Sequence, residues 1–333
     1  MPIRIAISIG DYNGIGPEVA LKTLAASPAV NCTPVILGDS RIVDYYLDTL
    51  EISLEYHQTD TTLGIEDGSV NVLNCMDDGE ITIKPGQLSE QAGKCAMLAV
   101  EKGIELCMSD QADALVTASI SKEAVNKAGY HIPGHTEFLA EKTDTKDFIM
   151  MMIYDQLRVG LLTTHIPLAE VKEWVSKERI VRFINIIRDS LKRDFTISKP
   201  RIAVLGLNPH AGDGGMIGSE EIDFITPAIK EVRSGSGNLV VEGPFPADGF
   251  FGNRIYEQFD GVLAMYHDQG LIPFKTLSFG SGVNFTAGLP MIRTSPDHGT
   301  AFDIAGQGKA NPDSFRQAFD LAISLANSKK EQV

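Results

Sequence analysis

Three of the chain's seven histidines stand just past strongly apolar runs. Val159-Gly160-Leu161-Leu162-Thr163-Thr164 leads into His165, Ile202-Ala203-Val204-Leu205-Gly206-Leu207-Asn208-Pro209 into His210, and Val262-Leu263-Ala264-Met265-Tyr266 into His267. Short apolar runs of this kind read as buried parallel strands. Open α/β sheets bind ligands outside the carboxyl ends of their strands. Three imidazoles delivered there would converge on one divalent metal and leave a coordination position open for a substrate. Imidazole ligands favour Zn or Co over a bare Mg site. Asp268, next to His267, could orient that ring or add a ligand. The separations match no local zinc motif, and the competing reading is loop histidines hydrogen-bonded to backbone.

A second group of residues suits an anionic ligand. Lys275, Asn284 and Arg293 lie around the glycine-containing stretch Phe279-Gly280-Ser281-Gly282-Val283-Asn284. Glycines let backbone N–H groups approach an anion, and Lys and Arg supply charge. His135 and Thr136, near a helix start, add donors. Together they point to a phosphorylated or carboxylated small substrate. Taken singly, each reads equally as a solvated charge or a turn. Gly10-Asp11-Tyr12-Asn13-Gly14-Ile15-Gly16-Pro17-Glu18 is a tight strand-to-helix turn but not a dinucleotide fingerprint, because Val19 stands where the third glycine belongs. Asp297 to Gly308 is a glycine-punctuated loop around a short apolar turn.

The elements that must position these groups alternate between strand and helix. Strands are expected at Ile3 to Ile9, Pro34 to Leu37 and Ala114 to Thr117, with a short candidate near Ile81 to Ile83. Ser89 is the expected N-cap of a helix reaching Met108, with an apolar stripe at Ala92, Cys95, Ala96, Ala99, Val100 and Ile104. Further helices are expected over 168–192, 220–232 and 314–328. This alternation predicts an α/β fold with mostly parallel sheets and crossover helices.

Composition narrows the class. A chain of 333 residues suggests two domains. A formal net charge of −15 argues against nucleic acid, whose affinity rests on Lys and Arg at phosphates. No basic amphipathic stretch suits an anionic membrane. No stretch approaches the ~20 apolar residues of a spanning helix. The four cysteines, Cys32, Cys75, Cys95 and Cys107, have no CxxC spacing and read as reduced thiols. A cytoplasmic protein is the expectation.

Several motifs, running from residue 10 to about residue 308, resemble those of one family. They are Gly10-Asp11 with Gly14-Ile15-Gly16-Pro17-Glu18, Gly134-His135-Thr136-Glu137-Phe138, Thr163-Thr164-His165, Gly206-Leu207-Asn208-Pro209-His210-Ala211-Gly212, Ala264-Met265-Tyr266-His267-Asp268-Gln269-Gly270, and Arg293-Thr294-Ser295 with Asp297-His298-Gly299-Thr300-Ala301 and Asp303-Ile304-Ala305-Gly306. The set resembles the 4-hydroxythreonine-4-phosphate dehydrogenase family of vitamin B6 biosynthesis, which has an isocitrate/isopropylmalate dehydrogenase-like fold. The resemblance implies two α/β/α domains, 1–130 with 288–333 and 131–287, and an active cleft between them. It implies His165, His210 and His267 as ligands of a divalent metal (Zn, Co or Mg), with His267 supplied by the partner subunit of a homodimer. It implies His135, Thr136, Lys275, Asn284 and Arg293 as substrate-binding residues. NAD or NADP would lie along Asp297, His298, Gly299, Ala301, Asp303 and Gly306. Lys275 and Asp248 are the candidates for general base.

The activity so implied is oxidation of 4-phosphooxy-L-threonine to a 3-oxo acid, which loses CO2 to give 3-amino-2-oxopropyl phosphate. Two departures bear on the substrate. The opening turn carries Asp11-Tyr12-Asn13 where better-known members have a Glu-Pro-Ala type of turn, and Ser281 stands where an Arg is frequent. Threonate or erythronate 4-phosphate is therefore an alternative substrate. Two readings from other classes remain: a phosphotransacetylase-like acyltransferase, and a non-catalytic phosphometabolite-binding protein.

Overall fold

The computed structural model describes residues 2–26, 32–76, 79–132, 134–235 and 239–331. The described residues form twelve strands: β1 (Ile3–Ser8), β2 (Cys32–Gly38), β3 (His57–Thr59), β4 (Asn71–Asn74), β5 (Ala114–Thr117), β6 (Ile149–Tyr154), β7 (Leu157–Leu161), β8 (Arg201–Leu205), β9 (Val240–Phe245), β10 (Gly261–Ala264), β11 (Val283–Ala287) and β12 (Ile292–Pro296). They fall into two compact units, one holding the chain up to Asp144 together with Leu289–Glu331, the other Thr145–Gly288.

In the first unit the strand order is β3-β4-β2-β1-β5-β12, and every described pairing is parallel. β1, β2 and β5 are apolar runs that the sheet buries along nearly their whole length. That is the pattern of strands covered on both faces. The chain steps from β1 to β2 on one side and later places β5 on the other, so the switch point lies between β1 and β5. Gly10, two residues past β1, has φ at +73°, and a Cβ there would come within 2.5 Å of the Ser119 carbonyl. Only glycine fits that approach.

The helix Glu90–Met108 begins as expected, with the Ser89 hydroxyl accepting from the Ala92 N–H, and its expected stripe is buried. The closing helix Asp313–Lys330 buries Phe315, Ala318, Phe319, Ala322 and Leu325. Thr294 on β12 donates to the Ala318 carbonyl at 2.8 Å and anchors that helix.

In the second unit the order is β11-β6-β7-β10-β8-β9. β11, β6 and β7 pair antiparallel, whereas β7, β10, β8 and β9 run parallel. One apolar cluster holds Val159, Leu161, Ala203, Leu205, Val262 and Ala264 from the three central strands against Phe250, Leu271 and Phe274.

Four details differ from the sequence reading. The helix His135–Lys142 belongs to the first unit, whereas the family resemblance places residues from 131 on in the second. Its Phe138 ring packs edge-on against Tyr130, and Lys142 pairs with Glu101 at 2.7 Å, both partners lying in the first unit. No strand forms at Ile81 to Ile83; the nearby strands are β3 and β4 instead. The helix expected over 168–192 breaks at Ser176, which caps Lys177–Arg193 by accepting from the Arg179 N–H. The helix expected over 220–232 starts as one wide π turn, Glu221–Ile225.

Candidate active site

β7, β10 and β8 are adjacent and parallel, so their carboxyl ends share one edge. Each is followed by one of the three histidines. His267 is the first residue of the helix His267–Ser278, with Tyr266 as its N-cap. His165 lies in the turn after β7, and its ring centroid is 6.0 Å from that of His267. Two imidazoles sharing an ion, with metal–nitrogen bonds of about 2.1 Å, have centroids within roughly 6.5 Å of each other. His267 Nδ1 lies 2.7 Å from Asp268 Oδ1. That contact fixes the ring and leaves Nε2 for an ion, the usual arrangement behind a ligating imidazole. The donor set at this edge therefore suits a divalent metal.

The three rings are not gathered in one chain. Among the described residues, no group of three or more His, Cys, Asp or Glu side chains is placed to hold an ion. The structure brings the His165 and His267 rings together, and His210 does not join them in such a group among the described residues. Within one chain the His165 and His267 rings stand side by side.

His210 occupies an unusual turn. Five consecutive residues have left-handed backbone: His210 (φ 54°), Ala211 (52°), Gly212 (80°), Asp213 (43°) and Gly214 (64°). For the three that are not glycine this conformation costs about 1–2 kcal/mol each. The buried Glu221 carboxylate holds the entry to the turn, accepting from the N–H groups of Leu207 and Asn208 at 2.7 and 2.8 Å. The Asn208 amide donates to both Glu221, at 2.9 Å, and Glu220, at 2.7 Å. Lys172 pairs with Glu220 at 2.7 Å. Hydrogen bonds, first from Lys172 and also from Asn208, hold the Glu220 carboxyl down at about 2. Strain retained at this expense is characteristic of functional sites.

The expected substrate residues divide between the units. In the second, Asn284 sits on β11 with Oδ1 buried and without a partner. Lys275 lies on the helix that His267 opens, and Asp248 on the helix Ala247–Gly252; both are exposed. In the first, Arg293 is fully buried on β12, donating through Nε and Nη2 to Thr117 Oγ1 at 3.1 and 2.6 Å. Burial lowers its pKa to about 10, so it stays cationic at neutral pH. His135 opens its helix, followed by Thr136. Burial and then the Arg293 cation push the His135 imidazole down to about 3, so it is neutral, and its Nε2 is buried without a partner.

Also in the first unit, β1, β5 and β12 are neighbours whose carboxyl ends carry Asp11, Ser119 and His298. The Ser119 hydroxyl donates to the His298 carbonyl at 2.8 Å, and His298 Nδ1 lies 3.2 Å from it. The loop from Asp297 to Gly306 rests on the glycine turn: Ile15 N–H donates to the Thr300 carbonyl at 2.9 Å. Beyond the loop, Lys22 and Glu18 pin Gly308 and Ala310 at 2.8 Å each. Asp11 is completely buried. Its Oδ1 accepts from the Asn13 N–H at 3.0 Å, and its Oδ2 has no partner. Burial raises its pKa to about 6.

Sequence reasoning missed Asp11, Glu221, Thr163 and Gln269. Asp11 was legible only as part of a turn. The acid pair Glu220-Glu221 read as an ordinary helix start. Thr163 and Gln269 stood inside the quoted motifs, two residues from a histidine, with no sign of what they bond.

Comparison with known proteins defines the class. The family model of the pyridoxal phosphate biosynthetic protein PdxA matches residues 30–322, and the chain belongs to that family. It is 43% identical over 332 residues to a 4-hydroxythreonine-4-phosphate dehydrogenase of Bacteroides thetaiotaomicron, covering 99% of this chain and 90% of that one. It is 39% identical to a D-threonate 4-phosphate dehydrogenase of Pectobacterium atrosepticum, covering 97% and 99% of the two chains. The crystal structure of a 4-hydroxythreonine-4-phosphate dehydrogenase from Klebsiella pneumoniae superposes with a TM-score of 0.90 at 38% identity, covering 98% of each chain.

Proposed function

We propose that this protein oxidises 4-phosphooxy-L-threonine with NAD or NADP, in a metal-dependent reaction whose 3-oxo acid product loses CO2 to give 3-amino-2-oxopropyl phosphate. Membership of the PdxA family supports the reaction class. The observation that carries the site is the His165–His267 pair at the carboxyl edge of three parallel strands, with Asp268 behind one ring. When bound there, a divalent ion would polarise the oxygen of the hydroxyl being oxidised, while the nicotinamide accepts the hydride.

The protein groups hold the substrate and manage charge. Arg293 is a permanent cation for the phosphate or carboxylate. The neutral imidazole of His135, with Thr136 and Asn284, supplies directional hydrogen bonds. Lys275 adds a cation when protonated; Asp248, or Lys275 in its neutral form, is the candidate to take the hydroxyl proton. The loop Asp297, His298, Gly299, Ala301, Asp303 and Gly306 holds the dinucleotide. The metal is Zn, Co or Mg, and His210 completes its ligand set from a second copy of the chain. A homodimer is also supported by Met216, Ile222, Ile272 and Phe279, large apolar side chains of the second unit that are each more than half exposed. A cytoplasmic setting is supported by four free cysteines.

The test is a panel of 4-phosphooxy-L-threonine, D-threonate 4-phosphate and erythronate 4-phosphate, each with NAD and with NADP, before and after chelation. Reduction of a cofactor by the first substrate, abolished by chelator and restored by metal, is expected. Full activity after chelation would overturn the metal role. A clear preference for D-threonate 4-phosphate would favour the second reading, which the Pectobacterium relative and Ser281 support.

A further inference from the structure

A buried chain of hydrogen bonds runs crosswise beneath the histidine edge. The Thr163 hydroxyl donates to the Met265 carbonyl at 2.8 Å. The Met265 N–H donates to Gln269 Oε1 at 2.7 Å. Gln269 Nε2 donates to the Gly206 carbonyl at 2.6 Å. Thr163 follows β7, Met265 follows β10, Gln269 lies in the first turn of the helix after it, and Gly206 follows β8. The chain of bonds therefore ties together the three strand ends from which the histidines depart. Thr163 and Met265 each stand two residues before their histidine, and Gln269 two after His267. All of these contacts are buried.

Strand ends normally splay once the ladder stops, and buried carbonyls there need other partners. Apolar residues would not satisfy them. A single primary amide accepts from one strand end and donates to the next, which sets the spacing between the two turns. Thr163, just past β7, adds a single donated bond to the Met265 carbonyl at the end of β10. We propose that Gln269 and Thr163 are positioning residues for the metal centre: they fix the separation of the turns bearing His165, His267 and His210 without touching ion or substrate. This rests on the metal reading above.

The experiment is Co2+ titration of the apo full-length protein, read by its visible absorption and free of any turnover assay. Wild type is compared with Thr163→Val, Thr163→Ser, Gln269→Glu, Gln269→Leu and His267→Ala. Gln269→Glu keeps the acceptor for Met265 and loses the donor to Gly206. Thr163→Ser keeps the hydroxyl. Outer-shell changes around metal sites cost roughly 10–100-fold in affinity. Thr163→Val, Gln269→Glu and Gln269→Leu are expected to bind Co2+ at least tenfold more weakly than wild type, with an altered spectrum and with native circular dichroism. Thr163→Ser is expected to bind as wild type does. If wild type and His267→Ala bind alike, the metal reading falls and the proposal falls with it. If wild type binds through His267 but Gln269→Glu and Thr163→Val match its affinity and spectrum, the positioning role alone is overturned.

Discussion

Asp11 is the residue whose state is least suited to stability. Its carboxyl is completely buried, one oxygen lacks a partner, and its pKa stands at about 6. Between its ordinary value of 3.8 and about 6, the folded protein binds a proton that the unfolded chain has released. The contribution is therefore favourable at low pH and is lost as pH rises through 6. At neutral pH the cost is on the order of 2–3 kcal/mol. Asp11→Asn keeps an oxygen for the Asn13 N–H and removes the ionisation. It is expected to be more stable than wild type by about 1–3 kcal/mol at pH 7.5, with the gap closing by pH 4. Denaturant unfolding across that range measures it. His135 titrates in the opposite sense: its pKa of about 3 means stability is gained as pH rises from 3 to 6.5. That contribution cancels in the difference between variant and wild type. A gap independent of pH would show that Asp11 titrates alike in the folded and unfolded chains, with no burial penalty on its charge. A buried carboxylate with a pKa raised this far is the kind of group that clusters at functional sites.

At the scale of elements, the helix His267–Ser278, which His267 opens, packs closely on the sheet at Gly270. A Cβ on Gly270 would meet Leu161 Cδ2 at 2.6 Å, Val159 Cγ1 at 3.0 Å and Ala264 Cβ at 3.1 Å. Gly270→Ala would favour an open helix by about 1 kcal/mol, but overpacking here costs roughly 1–3 kcal/mol. Lower stability in urea is expected, together with weaker Co2+ binding as His267 is pushed outward. Higher stability would mean that the helix has room to move. Such elements were legible in the sequence where one force dominates. The continuous apolar runs of β1, β5 and β10 can only be buried strands, and Ser89 and the glycine turn announce the helices that follow them. The rest were hidden by competing signals. β3, His-Gln-Thr, and β4, Asn-Val-Leu-Asn, have too few apolar residues to show a period. Ser176 interrupts a stretch whose apolar spacing continues through it. The left-handed turn at His210 has no local signature, because its support comes from Glu221, which lies eleven residues beyond it.

For the molecule as a whole, the histidine motifs nominate side chains for a metal but do not say which chain delivers each. Spacing along a sequence is blind to the difference between a ring from the same subunit and one from its neighbour. Coordinates give the pairing: His165 and His267 stand together in one chain, and no third such group joins them among the described residues. If the working unit is a homodimer, each site then takes two imidazoles from one subunit and His210 from the other. Mixed dimers test this directly. A hybrid of His165→Ala with His210→Ala subunits contains one site with both damaged halves and one with all three imidazoles intact, so up to half of wild-type activity per hybrid dimer is expected to return after subunit exchange. A hybrid of His165→Ala with His267→Ala damages the paired half of both sites and is expected to stay inactive. Recovery in the second mixture and not in the first would assign His267 to the neighbouring subunit after all. Recovery in neither, with exchange verified by mass-tagged subunits, would remove the shared site altogether.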